Sequence, residues 1–546
     1  MFINNKRNNR IQIIVACLLI AAITAGGVFF DSYAWAQPVI PQEATSEIAD
    51  AEVPVSESAG HDSLPKEKLY LESEEQLMLA SLNAPEQNPE PLPEGEESGF
   101  VTVGLYSSCS SVSGGAVAEM TVSCADGFFL AKVIGRGYVP DIDLRLYSVL
   151  IVKTENGVVN LYDADNNMLL TGVCADDVLM SAADDPDERI ISIGSSRYRD
   201  GVMFKAESST KMAVINFVNL EHYLWGSLNA EMSAGNPIEA LKAQAVASRS
   251  FAVAHYGYHG KYGFDLCTTT NCQSYKGVSA EKDQTIRACR ETEDIVLVSG
   301  GKVASGYYYA SSGGYTMNSE DVWGGTISYL RAVPDPYSPL KVWNSSITFA
   351  DLASRLKSKG LGVGNIESVE ITSRYASGGV RSMVITGDAG SVTLTGAYNP
   401  SSKSIVSVIG SGTLQSIFFS MGGSSYPGVA IESGSGIATT SGQLSSAEAV
   451  AVNADGSTSS VDLSSAFATG SGAAQPISGG SGKKPVYSQQ IVTTSASAIY
   501  FSGIGYGHGC GLPQTSAISM ANAGYTYDAI LTYYYTGIQL KQLKSL

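Results

Sequence analysis

The stretch from Asn219 to Tyr256, NLEHYLWGSLNAEMSAGNPIEALKAQAVASRSFAVAHY, constrains this chain more than any other. Two helical patterns meet in it at a break. Tyr223, Leu224 and Leu228 predict a short helix that ends near Met232, and Gly235 interrupts the pattern. Asn236 is then placed to cap a second helix, with Pro237 at its first position and Glu239 where a capping-box acid reaches back. Ile238, Leu241, Ala245, Ser248 and Ala252 recur at helical spacing, and their small members let another element pack close; Lys242 and Arg249 flank that face.

This leaves one carboxylate, Glu231, at the corner between the two helices. Flanked by Met232 and aromatic residues, a partly desolvated carboxyl has a raised pKa and suits general-acid work. A solvated turn glutamate is the alternative reading.

Around this core the chain reads as α+β, with β-rich subdomains about a helical catalytic core. At 546 residues it is too long for one core. Residues 1–36 carry Lys6, Arg7 and Arg10 before an apolar run from Ile11 to Phe30, and then Ala34-Trp35-Ala36. That is the pattern of a signal peptide or an uncleaved membrane anchor. Either one places Gln37 onward outside the membrane, which predicts an extracytoplasmic protein, anchored or secreted. Residues 37–98, rich in Glu, Pro, Ser and Ala, read as an acidic disordered tether. Residues 99–218 contain short apolar runs separated by Gly, Asp and Asn and predict a β-rich subdomain. The catalytic core spans 219–345, and 346–421 reads as a helix from Phe349 to Gly362 followed by a β-meander. Residues 422–486 form a Gly/Ser/Ala-rich insertion, expected to be flexible with one hairpin turning at Asp455-Gly456, and 487–546 return to the catalytic domain.

The balance of 34 basic against 52 acidic residues argues against a nucleic-acid partner, because phosphate binding needs a basic face. It does not exclude a neutral glycan. Of eight cysteines, Cys17 lies in the leader and seven lie beyond it, an odd number that argues against a complete disulfide framework. Cys109 with Cys124 is the most plausible pair. His259, Cys267 and Cys272 follow an H-x7-C-x4-C spacing compatible with zinc, against which stand a disulfide or two free thiols. His508, in GYGHGCG, raises the question of a Ser-His pair with Ser311 or Ser312 oriented by Asp321, but no nucleophile elbow accompanies it.

Four ordered blocks carry a resemblance. They are LEHYLWGSLNAEM with EALKAQAVASRSFA, CQSYKGV, SSGGYTMNSEDVWGG, and GIGYGHGCGLPQTSAISMANAGYTYDAILTYYYTGIQL. Together they resemble the stage II sporulation protein D and amidase-enhancer family (SpoIID/LytB) of bacterial cell-wall proteins. The resemblance implies a peptidoglycan lytic transglycosylase in which Glu231, the glutamate of the "EM" motif, is catalytic acid and base. It requires no cofactor. Some family members carry a His directly before the second cysteine and bind zinc there; Asn271 stands at that position here. The family's final motif has Met-Ser-Gln where this chain has Leu512-Pro513-Gln514.

A hydrolytic glycosidase needs two carboxylates, whereas the family signature supplies one. One suffices if the sugar's own C6 hydroxyl attacks C1 and leaves a 1,6-anhydro end. Gln273, Tyr275, Ser311, Ser312, His508 and Gln514 are then expected to line the groove, with Tyr275 or Trp323 stacking on sugar. Asp265 or Glu320 as a second acid would restore hydrolysis. The amidase-enhancer branch implies a rival role as a non-enzymatic activator of a wall amidase, and a glycan-binding module is a third reading. Expected partners are peptidoglycan glycan strands, the membrane, and a wall amidase or other sporulation proteins.

Overall fold

The computed structural model describes residues 99–339, 341–398, 403–423, 491–493 and 497–546, and between 430 and 486 the backbone of five strands. The leader and tether fall outside the described residues. The fold is α+β, with eight helices among the described residues: α1 (Leu220–Glu231), α2 (Ile238–Ala254), α3 (Asp283–Arg290), α4 (Ser319–Trp323), α5 (Phe349–Ser358), α6 (Ile405–Ile409), α7 (Gln514–Asn522) and α8 (Tyr527–Tyr534). None of the described helices is long and apolar enough to cross a membrane.

The β-rich subdomain forms two sheets. The seven-stranded one runs in the order Leu266–Cys267, Phe100–Tyr106, Met212–Asn219, Gly201–Ala206, Asp177–Ser181, Phe128–Ile134, Gly137–Leu144. Six shorter strands between Glu119 and Arg199 make the second. Strand Met212–Asn219 is buried along both faces up to its last residue, so it reads as a continuous apolar run and delivers the chain rigidly into α1. Asn219 caps that helix by accepting the Glu221 N–H at 2.9 Å.

α1 and α2 are locked by a buried ion pair: Arg249, fully covered, donates two hydrogen bonds of 2.6 and 2.7 Å to Glu221. Gly226 of α1 is needed because a Cβ there would stand 2.6 Å from the Tyr275 ring and 3.1 Å from Gly277. Its carbonyl accepts the Lys276 N–H, which seats the segment after Cys272 against α1. α2 starts differently from expectation. It begins at Ile238 after Pro237, with no side-chain cap; Asn236 turns its amide back to the Ser233 carbonyl, and Glu239 pairs with Lys242 instead of reaching backward.

A second core gathers α5, α6 and the strands from Val342 to Thr395, and it recruits Ile491–Thr493 and Ala498–Ile504 from beyond the insertion. The C-terminal segment thus divides, and only the part after Ile504 returns to the core that holds α1 and α2, where α7 and α8 pack on α2. In the insertion, Glu448–Val452 and Thr458–Asp462 pair across 453–457 as the expected hairpin, within a five-stranded sheet that composition did not announce.

Candidate functional site

Glu231 is the last residue of α1, and Met232 leaves the helix in extended conformation. The residue is partly exposed, while its carboxyl lies among enough protein atoms that burial raises its pKa above the ordinary carboxylate range. Three donors oppose that rise: the Ser274 N–H, 2.6 Å from Oε1, the Ser274 hydroxyl, and the Tyr308 phenol.

These donors belong to one network. Tyr223 OH donates to Gln273 Oε1 at 3.0 Å, and Gln273 Nε2 donates to Tyr308 OH at 3.1 Å. With its lone pair so engaged, Tyr308 is free to point its proton at the carboxylate. Gln514, first residue of α7, donates to the main-chain carbonyl of Glu231 at 3.0 Å and reaches Gln244 at 3.4 Å. The carbonyl it holds is one of those that a helix end leaves without an intrahelical partner. Tyr308–Tyr309 pair in parallel with Leu512–Pro513, which sets the start of α7 against Glu231. Gly511 makes that approach possible: its φ is +79°, and a Cβ would stand 2.0 Å from the Tyr307 carbonyl.

Gln273 and Gln514 therefore gather at Glu231, and the other expected groove residues lie elsewhere. Tyr275 is in the core, stacked at 5.1 Å on Tyr223 and 6.0 Å on Tyr198, with its hydroxyl donating to Asn216. Trp323 is 1% exposed and packs between Tyr307 and His508, so it offers no face to a sugar. His508 is also buried: Nδ1 accepts the Cys510 N–H and Nε2 donates to the Tyr308 carbonyl, and burial lowers its pKa to about 4, so the ring is neutral. Ser312 donates to Asp335 at 2.5 Å, a carboxylate that also receives Ser516 and Tyr534, while Ser311 pairs through its backbone with Tyr506. These residues knit motif blocks together. The two alternative acids are spent: Asp265 on Arg136, Thr102 and the Gly257 N–H, and Glu320 on Arg331.

Tyr308, Tyr223 and Ser274 were not anticipated. Tyr308 sits in the run GYYYA, where three adjacent tyrosines give no pattern that separates the one facing Glu231.

His259, Cys267 and Cys272 bring their ligand atoms within 4.8 Å of one another. His259 Nε2 lies 3.3 Å from Cys272 Sγ, and Nδ1 lies 3.7 Å from Cys109 Sγ. Burial disfavours charge on His259, but the contacts with Cys109 and Cys267 outweigh it and push the ring up to about 9. The Cys267 thiol is pulled down by its hydrogen bond with Cys272, and burial holds Cys272 up. The expected Cys109–Cys124 disulfide is not formed: both are free, Cys109 turned to His259 and Cys124 to Ser181 at 3.3 Å.

Two surface cavities, of about 340 and 480 Å³, share Asp187, Trp225 and Arg290 near the start of α1, away from Glu231. In the lining of the first, His222 bridges Asp200 at 2.9 Å and Asp187 at 3.1 Å.

Residues 208–298, which include α1, α2 and the Glu231 corner, match the family described as Stage II sporulation protein, SpoIID. An uncharacterized protein of Brachyspira hyodysenteriae is 32% identical over 190 residues, covering 34% of this chain and 51% of that relative. The protein named Amidase enhancer of Bacillus subtilis is 29% identical over 321 residues, 58% of this chain and 40% of the relative. Stage II sporulation protein D of the same organism is 29% identical over 157 residues, 26% and 46% of the two chains. The chain spans about half the length of the curated relatives it matches. A SpoIID match that includes the corner holding Glu231, together with relatives of both names, supports the SpoIID/LytB family for this chain.

Proposed function

We propose that the protein is a peptidoglycan lytic transglycosylase in which Glu231 is both acid and base. The observation that carries this reading is a single carboxyl whose pKa is raised by burial, with donors on Ser274 and Tyr308 ready to stabilise its charge. A pKa raised above the ordinary carboxylate range favours the protonated form that a general acid needs. Glu231 gives it to the glycosidic oxygen between N-acetylmuramic acid and N-acetylglucosamine as the bond to C1 breaks. The Ser274 N–H and Tyr308 then stabilise the carboxylate. That carboxylate takes the proton of the C6 hydroxyl as its oxygen closes on C1, which restores Glu231 and leaves a 1,6-anhydro end. The engagement of Asp265 and Glu320 elsewhere favours this route over hydrolysis.

His259, Cys267 and Cys272 fit a zinc ion in donor type and mutual distance. Bound zinc would supply a structural clamp on the loop that presents Gln273 and Ser274 to the Glu231 network. The setting that suits this substrate is extracytoplasmic, at the wall, consistent with the leader pattern and with a role in sporulation.

Digestion of purified glycan tests the reading: products lighter by one water than reducing ends, absent with Glu231→Gln, are expected, and reducing ends from the parent would overturn it. A second reading rests on the relative named Amidase enhancer, which matches 58% of this chain. Stimulation of a wall amidase by both the parent and Glu231→Gln, without glycan cleavage, would decide for that role.

A further inference from the structure

Beyond the Glu231 corner, Tyr525 in the turn between α7 and α8 meets Tyr337 and Tyr533 in an aromatic cluster at the rim of the core, outside the Glu231 network. Tyr337 lies edge-on to Tyr525 at 5.4 Å and to Tyr533 at 5.7 Å. All three are half-buried, so each keeps part of its surface toward solvent. Their polar tips are engaged within the protein: the Tyr337 and Tyr525 hydroxyls bond each other at 2.7 Å, and Tyr533 donates to the Pro334 carbonyl at 2.6 Å. What remains for a ligand is ring surface on a fixed frame. The frame is rigid because the Tyr337 N–H is held by Asp335, the buried carboxylate that also binds α7 through Ser516 and α8 through Tyr534.

The cluster is continuous with the Glu231 corner. Gln514 at the start of α7 holds the Glu231 carbonyl, and the Tyr527 N–H at the start of α8 donates to Glu239, in the first turn of α2. Tyr525 therefore lies two residues from one contact with the 231–239 corner. It is also separated from the other by nine-residue α7, about 13 Å long, a distance that spans more than one sugar ring. Tyrosine suits surfaces that are apolar on the ring and wet at the rim, as sugar faces require.

We propose that Tyr337, Tyr525 and Tyr533 form a distal stacking platform for a β-1,4-linked glycan of N-acetylated hexosamines, holding the strand more than one ring away from Glu231. This rests on the glycan-cleaving reading of Glu231. The platform selects long strands over short ones, because only a strand that reaches from the corner to the cluster gains its contacts.

The test uses the full chain carrying Glu231→Gln, with calorimetric binding of a hexasaccharide and a disaccharide of β-1,4-linked N-acetylglucosamine. Adding Tyr337→Ala or Tyr525→Ala is expected to weaken hexasaccharide binding roughly five- to tenfold and leave the disaccharide unchanged. Tyr337→Phe, which keeps the ring and loses only the hydroxyl contact, is expected to bind like its parent. Unchanged hexasaccharide affinity in the folded alanine variants overturns the platform and leaves Glu231 untouched. Absence of glycan binding by the Glu231→Gln chain itself overturns the glycan reading and the platform together. Loss of amidase capture, rather than of glycan, in the alanine variants overturns the platform in favour of a protein-docking surface.

Discussion

Gln514 and Glu231, 283 positions apart, are joined by a 3.0 Å hydrogen bond from the glutamine amide to the glutamate's main-chain carbonyl. The contact fixes the end of α1, so the carboxyl inherits its position from the C-terminal part of the chain. Gln514→Leu should lower kcat about tenfold with little change in KM. It should cost about 1 kcal/mol of stability in denaturant unfolding, as expected for one lost hydrogen bond. An unaltered kcat in a folded variant would falsify the positioning role.

Tyr308→Phe removes a donor that favours the charged form of Glu231. The carboxyl pKa should rise further above its ordinary value, and the loss of activity on going alkaline, where the acid gives up its proton, should move to higher pH. Rate profiles of the two proteins against pH decide this. A shift toward lower pH would count against Glu231 as the acid.

Arg249→Met should be among the most damaging substitutions, since it leaves Glu221 facing a buried helix interface without its partner; losses of such pairs cost about 3–5 kcal/mol. Arg249→Lys should recover little, because a lysine cannot make the two-pronged contact. Equal midpoints in urea for Arg249→Lys and the parent would contradict the argument.

His508 is held neutral, with its pKa lowered to about 4 by burial. Its contribution to stability is present above the unfolded value near 6.5 and is lost as pH falls toward 4, up to roughly 3 kcal/mol. His508→Gln, which keeps one donor and one acceptor, should flatten the fall in melting temperature across that window. If both proteins lose stability equally there, other groups control the acid limb.

Zinc content offers a separate check on the His259 cluster. The reduced parent should retain about one equivalent after dialysis, and Cys267→Ser with Cys272→Ser should retain none, with a lower melting temperature. Parent protein that is metal-free yet equally stable would remove the clamp.

Much of the Glu231 corner was legible because local rules govern it: a helical repeat through Tyr223, Leu224 and Leu228, then a break at Gly235. Its surroundings were not, because burial is decided by residues far away in the chain. Tyr275 looked like a stacking face beside Gln273, yet Gly226 admits its ring against α1 and the sheet covers it. Cys109 and Cys124 are close in sequence, but one follows a strand of the seven-stranded sheet and the other a strand of the six-stranded sheet, and each thiol found another neighbour. The capping box failed for a related reason. Glu239 had better partners, Lys242 beside it and the Tyr527 N–H from α8, and no pattern within the helix announces either choice.

The parallel pairing of Tyr308–Tyr309 with Leu512–Pro513 has a consequence for the newborn protein. Ribosomes deliver the α1–α2 corner long before the residues that brace it, and N-terminal parts fold first during synthesis. Until Gln514–Asn522 has been made, Glu231 has neither its carbonyl partner nor the α7 wall, so a chain still in transit carries its carboxyl unbraced. Synthesis of that segment is thereby the event that sets the corner.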